Sequence, residues 1–192
     1  GHGAPHFYAE GGQAFTHWAF ASRAVLIGAM WLPFCEVLDP DESGSAFLLK
    51  TNQAPFTCDN AALTQPYYCR HDHLHLMRGE VSAFLRTYYN QLTALADRET
   101  RSFWEHYTGA SQHKTHEEAW FLMQTRWALY MERGDVLHVF PGIPRAWLAP
   151  GKGIKASGVA SHFGRLDLEA TASDDGASIR ASVCCESERP PK

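Results

Sequence analysis

The spacing of apolar residues changes near Asp135, from a period that suits helices to one that suits strands, and this limits the fold more than any other feature. In "GEVSAFLRTYYNQLTALADR", Val81, Phe84, Leu85, Tyr88, Leu92 and Leu95 fall at i, i+3, i+4, i+7, i+11 and i+14. That is one apolar helical stripe with a polar back. In "RLDLEATA", by contrast, Leu166, Leu168 and Ala170 alternate with Arg165, Asp167 and Glu169. "SDDGAS" then reads as a turn and "SIRASV" alternates again, so residues 163–184 predict a β-hairpin. The expectation is a mainly α chain with a β C-terminal part.

Two more helices are expected. "GGQAFTHWAFASRAVLIGAMW" has Phe15, Trp18, Ser22, Val25, Leu26 and Ala29 at helical spacing, with Gly28 weakening its end. "THEEAWFLMQTRWALYMERGD" is apolar around most of its circumference: Trp120, Met123, Trp127 and Tyr130 lie on one side, Phe121, Leu122 and Leu129 on others. Such a helix is expected to be buried on two sides. Thr115 and Glu118 have the spacing of a capping box, and Gly134 sits where a C′ glycine belongs. "LDPDESGS" reads as a loop, and residues 47–70 have no clean period, being punctuated by Pro55 and Pro66. "VLHVF" is a short β-rich run. These patterns divide the chain into residues 1–134, helical, and 135–192, strand-rich and too short to close a sandwich by itself.

Composition excludes several function classes. A formal charge of −4 lacks the basic face that nucleic acid requires. "AVLIGAMWLPF" is broken by Gly28 and Pro33 and falls short of the roughly 20 apolar residues of a membrane span. The five cysteines, Cys35, Cys58, Cys69, Cys184 and Cys185, form no CxxC pair and read mainly as free thiols.

Three groups of residues could carry chemistry. In "CRHDHLHL", His71, His73 and His75 alternate; on a strand they would share a face and could ligate zinc, whereas on a helix they splay around the axis. Glu117 and Glu118 form a carboxylate pair, but a first-turn position complements the helix dipole for Glu117, and Glu118 is explained by the capping box. His116, at the same helix start, suits a neutral hydrogen-bonding imidazole. Glu105 lies in "FWEHY", just past a helix, beside Trp104, His106 and Tyr107. A carboxylate among aromatic rings is partly desolvated, which suits general-base work.

"FWEHY", the "EAWFLMQTRW" stretch and "FPGIPRAWLAPGKGIKASGVASHFGRLDLEA" together resemble the C-terminal part of six-hairpin glycosidases, nearest to bacterial α-L-rhamnosidase-like proteins, over roughly residues 65–192. The resemblance implies the last helical hairpins of an (α/α)6 barrel followed by part of a β-sandwich. It also implies a missing N-terminal part of the same polypeptide, which would carry the general acid, and a periplasmic or secreted setting. In that group a Trp-Glu motif carries the general base, which matches Trp104-Glu105, and a histidine at the next helix start lines the pocket, which matches His116. Where rhamnosidases continue Arg-Trp-Asp, this chain has His106-Tyr107-Thr108, leaving the sugar open.

The expected function is therefore inverting hydrolysis of a glycoside or oligosaccharide, without a cofactor. Glu105 is the base, and Trp104, His106, His116 and Trp120 contact the sugar. Inversion places base and acid roughly 6.5–9.5 Å apart with a water between them. Two alternatives stand beside it: a non-catalytic carbohydrate-binding or packing domain, and a metal-dependent hydrolase centred on His71, His73 and His75.

Overall fold

The computed structural model describes residues 30–58, 61–62, 70–105, 113–186 and 191. They belong to two compact units, one ending at Thr125 and the other beginning at Arg126. Most of the helix expected over residues 11–31 lies outside the described residues, as do Cys69 and His106.

The first unit begins with α1 (Trp31–Phe34) and α2 (Ser43–Phe56), followed by a minimal antiparallel pair, β1 (Thr57–Cys58) with β2 (Ala61–Ala62). The start of α2 falls inside the stretch expected to be a loop, and the helix runs on into the segment without a period. Asp39 prepares its start: its side chain accepts from Asp41 N–H at 2.8 Å, and its carbonyl accepts from Ser45 Oγ at 2.7 Å. Helix α3 (His71–Met77) then ends in a Schellman turn. Gly79 adopts φ +73° and donates to Leu76 O at 3.0 Å, while Glu80 N–H reaches His75 O at 2.8 Å.

Helix α4 (Val81–Leu95) is the expected amphipathic helix, with its buried face turned slightly from the expected stripe. Phe84, Thr87, Tyr88, Gln91 and Leu95 are buried, whereas Leu85 and Leu92 are only half covered. Tyr88 stacks on Phe121 of α5 (Thr115–Leu129) at 4.8 Å, and Phe103 meets the same ring at 5.1 Å. Between α4 and α5, an antiparallel bridge joins Ala96 to Phe103.

Helix α5 departs from expectation at both ends. It stops at Leu129, and Tyr130–Arg133 form strand β3, paired antiparallel with β4 (Val136–Val139). Gly134, with φ +54°, opens the two-residue hairpin turn rather than capping the helix. The helix buries one face, Glu117, Trp120, Gln124, Trp127 and Ala128, not two; Leu122 is 68% exposed. Glu118 makes no capping box: its Oε1 accepts the Phe103 N–H at 3.3 Å.

In the second unit, β5 (Gly153–Ser161), β6 (Gly164–Ala172) and β7 (Ile179–Glu186) form an antiparallel sheet in that order. The alternation of β6 behaves as read: Leu166, Leu168, Ala170 and Ala172 are all buried. Leu166 and Leu168 pack with Tyr130, Leu137 and Val139, so the β3–β4 hairpin covers one sheet face. The Tyr130 hydroxyl donates to Ala160 O at 2.8 Å, tying hairpin to sheet.

The expected architecture is corrected by this arrangement. The described residues contain short and medium helices with small antiparallel sheets and no barrel of helical hairpins. The physical reason lies in the burial pattern. Helices nested in a double-layered barrel are covered on two sides, whereas α4 and α5 each bury a single face.

Candidate active site

The first unit has an unusually polar interior where α3, α4 and α5 meet. Asp72, Gln91, Glu117 and Gln124 are each fully buried. Helix α3 supplies Asp72, whose Oδ2 accepts from the Trp120 indole N–H at 3.0 Å and from Gln124 Nε2 at 2.6 Å. Trp120 and Gln124 are one turn apart on α5, so both donors reach one oxygen. Glu117, a turn before Trp120, takes Gln91 Nε2 of α4 at 3.4 Å on its carboxyl and at 3.3 Å on its backbone carbonyl. Among the described residues, Asp72 Oδ1, Gln91 Oε1, Glu117 Oε1 and Gln124 Oε1 are buried oxygens with no hydrogen-bond partner.

This setting holds protons on the acids. Burial, joined by the nearby charges of Glu105 and Asp72, pushes the Glu117 carboxyl up to about 8. Burial also raises Asp72 to about 6, against the hydrogen bonds from Gln124 and Trp120 that favour its charge. Glu117 is thus a neutral acid at pH 7, with two other carboxyls as its electrostatic neighbours.

Glu105 is the outermost of these acids. The backbone leading to it is anchored on both sides: Trp104 N–H donates to Leu95 O at 2.9 Å, and Lys114 N–H donates to Phe103 O at 3.1 Å. Its carboxylate meets Lys114 Nζ at 2.9 Å and keeps 23% of its side-chain exposure. One carboxyl therefore lies near solvent against an ammonium while its enclosed neighbour keeps a proton.

The other expected site residues divide. Trp104 is half-buried beside Glu105. The His116 Nε2 lies 3.7 Å from Glu117 Oε1, which draws His116 into the carboxyl group. Trp120 is only 6% exposed and is engaged by Asp72, by Phe34 at 5.6 Å and by Arg70, so it is a core ring and not an open sugar platform. His106 lies outside the described residues. Asp72 was noted only beside the histidine triplet, and Gln91, Lys114 and Gln124 were not singled out from sequence. Their signal was available: Gln91 and Gln124 occupy helix positions that the neighbouring apolar residues mark as core.

The histidine triplet is helical and splays. His71 and His75 lie one turn apart, with ring centroids 6.1 Å apart, while His73 meets Phe34 at 5.1 Å. Burial, with a smaller contribution from His75, lowers His71 to about 3; its Nε2 meets Thr87 Oγ1 at 3.3 Å. Burial also lowers His75, against its bond to Glu80. Its Nδ1 meets Glu80 Oε2 at 2.5 Å. These contacts are packing and hydrogen bonding, and among the described residues no three potential ligands gather as a metal site. Compared with family models, curated proteins and solved structures, the chain matches none.

Proposed function

We propose that this chain is part of a glycoside hydrolase in which Glu105 is the general base of an inverting reaction. The observation that carries this reading is the unequal state of neighbouring carboxyls: Glu105 lies partly exposed against Lys114, and Glu117 behind it is enclosed and neutral. Separating the proton affinities of adjacent acids is how carboxyl groups divide acid–base labour at one pH. A base must be ionised and must reach a water; partly exposed Glu105 is open to solvent, and fully buried Glu117 is not. The substrate class comes from the resemblance of the Trp104-Glu105 and "EAWFLMQTRW" stretches to glycosidases, and the reading does not depend on a barrel.

In this mechanism Glu105 takes a proton from water as the water attacks the anomeric carbon, and a separate acid protonates the departing oxygen. Trp104 flanks the base, and His116 acts one step back, on Glu117. The test is Glu105→Gln in the full-length protein, assayed on a panel of aryl glycosides with the anomer of the product followed by NMR. The expected result is a fall in kcat of about 10²–10⁴ with little change in KM. Near-normal turnover by the variant would remove Glu105 from the role, and a product of retained configuration would remove inversion.

A further inference from the structure

We propose that Lys114 is a positioning residue for this reaction, fixing the orientation of the Glu105 carboxylate and holding charge on it. The inference rests on the reading of Glu105 as base. It starts from the way the turn entering α5 grips the segment before that glutamate. Phe103 is held on both polar groups: its N–H donates to Glu118 Oε1 at 3.3 Å, and its carbonyl accepts from Lys114 N–H at 3.1 Å. Trp104 is tied to Leu95, and Phe103 bridges Ala96. The backbone up to Trp104 is thereby fixed. Lys114 reaches one carboxylate oxygen, Oε2, at 2.9 Å from the same turn whose backbone holds Phe103.

The charges around this pair explain why a cation belongs there. Among the described residues, Glu117 on α5 interacts electrostatically with Glu105 and with Asp72 on α3, and His116 meets Glu117; Gln91 on α4 is uncharged. Glu117 repels charge on Glu105 whenever it ionises, and Lys114 opposes that repulsion. Since Glu117 stays neutral to about pH 8, the ammonium acts mainly on Glu105 over the neutral range. A merely structural ion pair between side chains 31% and 23% exposed would contribute little to stability and nothing to a pH profile.

The experiment compares Lys114→Met, Lys114→Gln and Lys114→Arg with the native full-length protein and Glu105→Gln. It reads kcat, the pH dependence of kcat/KM and the thermal midpoint. The expected result for Lys114→Met and Lys114→Gln is a kcat lower by about 10- to 100-fold, as for a misplaced reacting group. The acid limb should move up by about one pH unit, as a carboxylate shifts on losing an adjacent cation. Lys114→Arg should restore the limb. An unmoved acid limb in both neutral variants, with Glu105→Gln inactive, overturns this inference alone. A fully active Glu105→Gln overturns the functional reading and this inference with it.

Discussion

Replacing Glu117 by Gln tests the buried acid directly, because the amide keeps the shape and removes the titration. The folded pKa of Glu117 is raised from 4.5 to about 8, so the stabilisation it provides is fully present below pH 4.5 and is lost as pH rises through 8. Over that window the unfolded chain ionises at this position while the folded protein keeps its proton, and native stability falls by about 1.4 kcal/mol per pH unit. Between pH 5 and pH 8 the loss is on the order of 3–4 kcal/mol. Asp72 acts with the same sign between 3.8 and about 6, and His71 with the opposite sign, its stabilisation being lost as pH falls from 6.5 towards about 3. Both remain in the variant, so the difference between variant and native protein isolates Glu117 and its coupling to Glu105 and Asp72. Urea unfolding followed by tryptophan fluorescence at the two pH values is the assay. Any constant offset from the amide is common to both pH values; the readout is the change between them. Glu117→Gln should gain on the native protein by roughly 3 kcal/mol from pH 5 to pH 8. An equal difference at both pH values would refute the enclosed, proton-holding carboxyl.

Two further substitutions test the two units separately. Trp120→Phe keeps an aromatic ring in the core but removes the indole N–H from Asp72 Oδ2, leaving Gln124 as the remaining side-chain donor to that oxygen; chemical denaturation should show a loss of about 1–3 kcal/mol, and no loss would mean that the hydrogen bond is not made. Leu168→Ala empties a position only 1% exposed beneath Tyr130 and the β3–β4 hairpin; the expected cost is about 2–5 kcal/mol, and a cost under about 1 kcal/mol would place Leu168 outside the core.

Sequence carried the regular periods and lost the junctions. The stripe of α4 and the alternation of β6 were legible because each element buries one face, and burial imposes a period. The end of α5 was not legible, because "ALYMERGDVLHV" is as apolar at helical spacing as at strand spacing. Pairing of Tyr130–Arg133 with Val136–Val139 decides it, and that is a tertiary preference. Helix α2 was hidden for a related reason: its apolar residues follow no stripe, and Pro55 falls in its last turn. Glu118 shows how one spacing can serve two structures. A glutamate three residues after a threonine fits a capping box, yet here its carboxylate accepts from Phe103, a partner that local sequence does not specify. Glu105 was identifiable from its aromatic neighbours and motif. Asp72 and Glu117 acquire their character only when three helices close around them, a property that local sequence does not state.

The polar centre of the first unit runs against what stability alone would select. Among the described residues, Asp72 Oδ1, Gln91 Oε1, Glu117 Oε1 and Gln124 Oε1 are enclosed polar atoms, and enclosing polar atoms without full hydrogen bonding costs stability. Well-packed apolar side chains of similar volume would avoid that cost. Proteins depart from local consistency mainly where function constrains the site, and the departure here is localised on three facing helix positions and one α3 carboxylate. The arrangement also separates two tasks by depth. Glu117 is enclosed, and its protonation state sets the charge beside Glu105. Glu105 is exposed enough to meet a water and is held by a turn that belongs to the same helix as Glu117. Tying both to the start of α5 makes the geometry of the outer carboxylate depend on the packing of the inner one, so a change at Glu117 should be felt at Glu105 without any direct hydrogen bond between them.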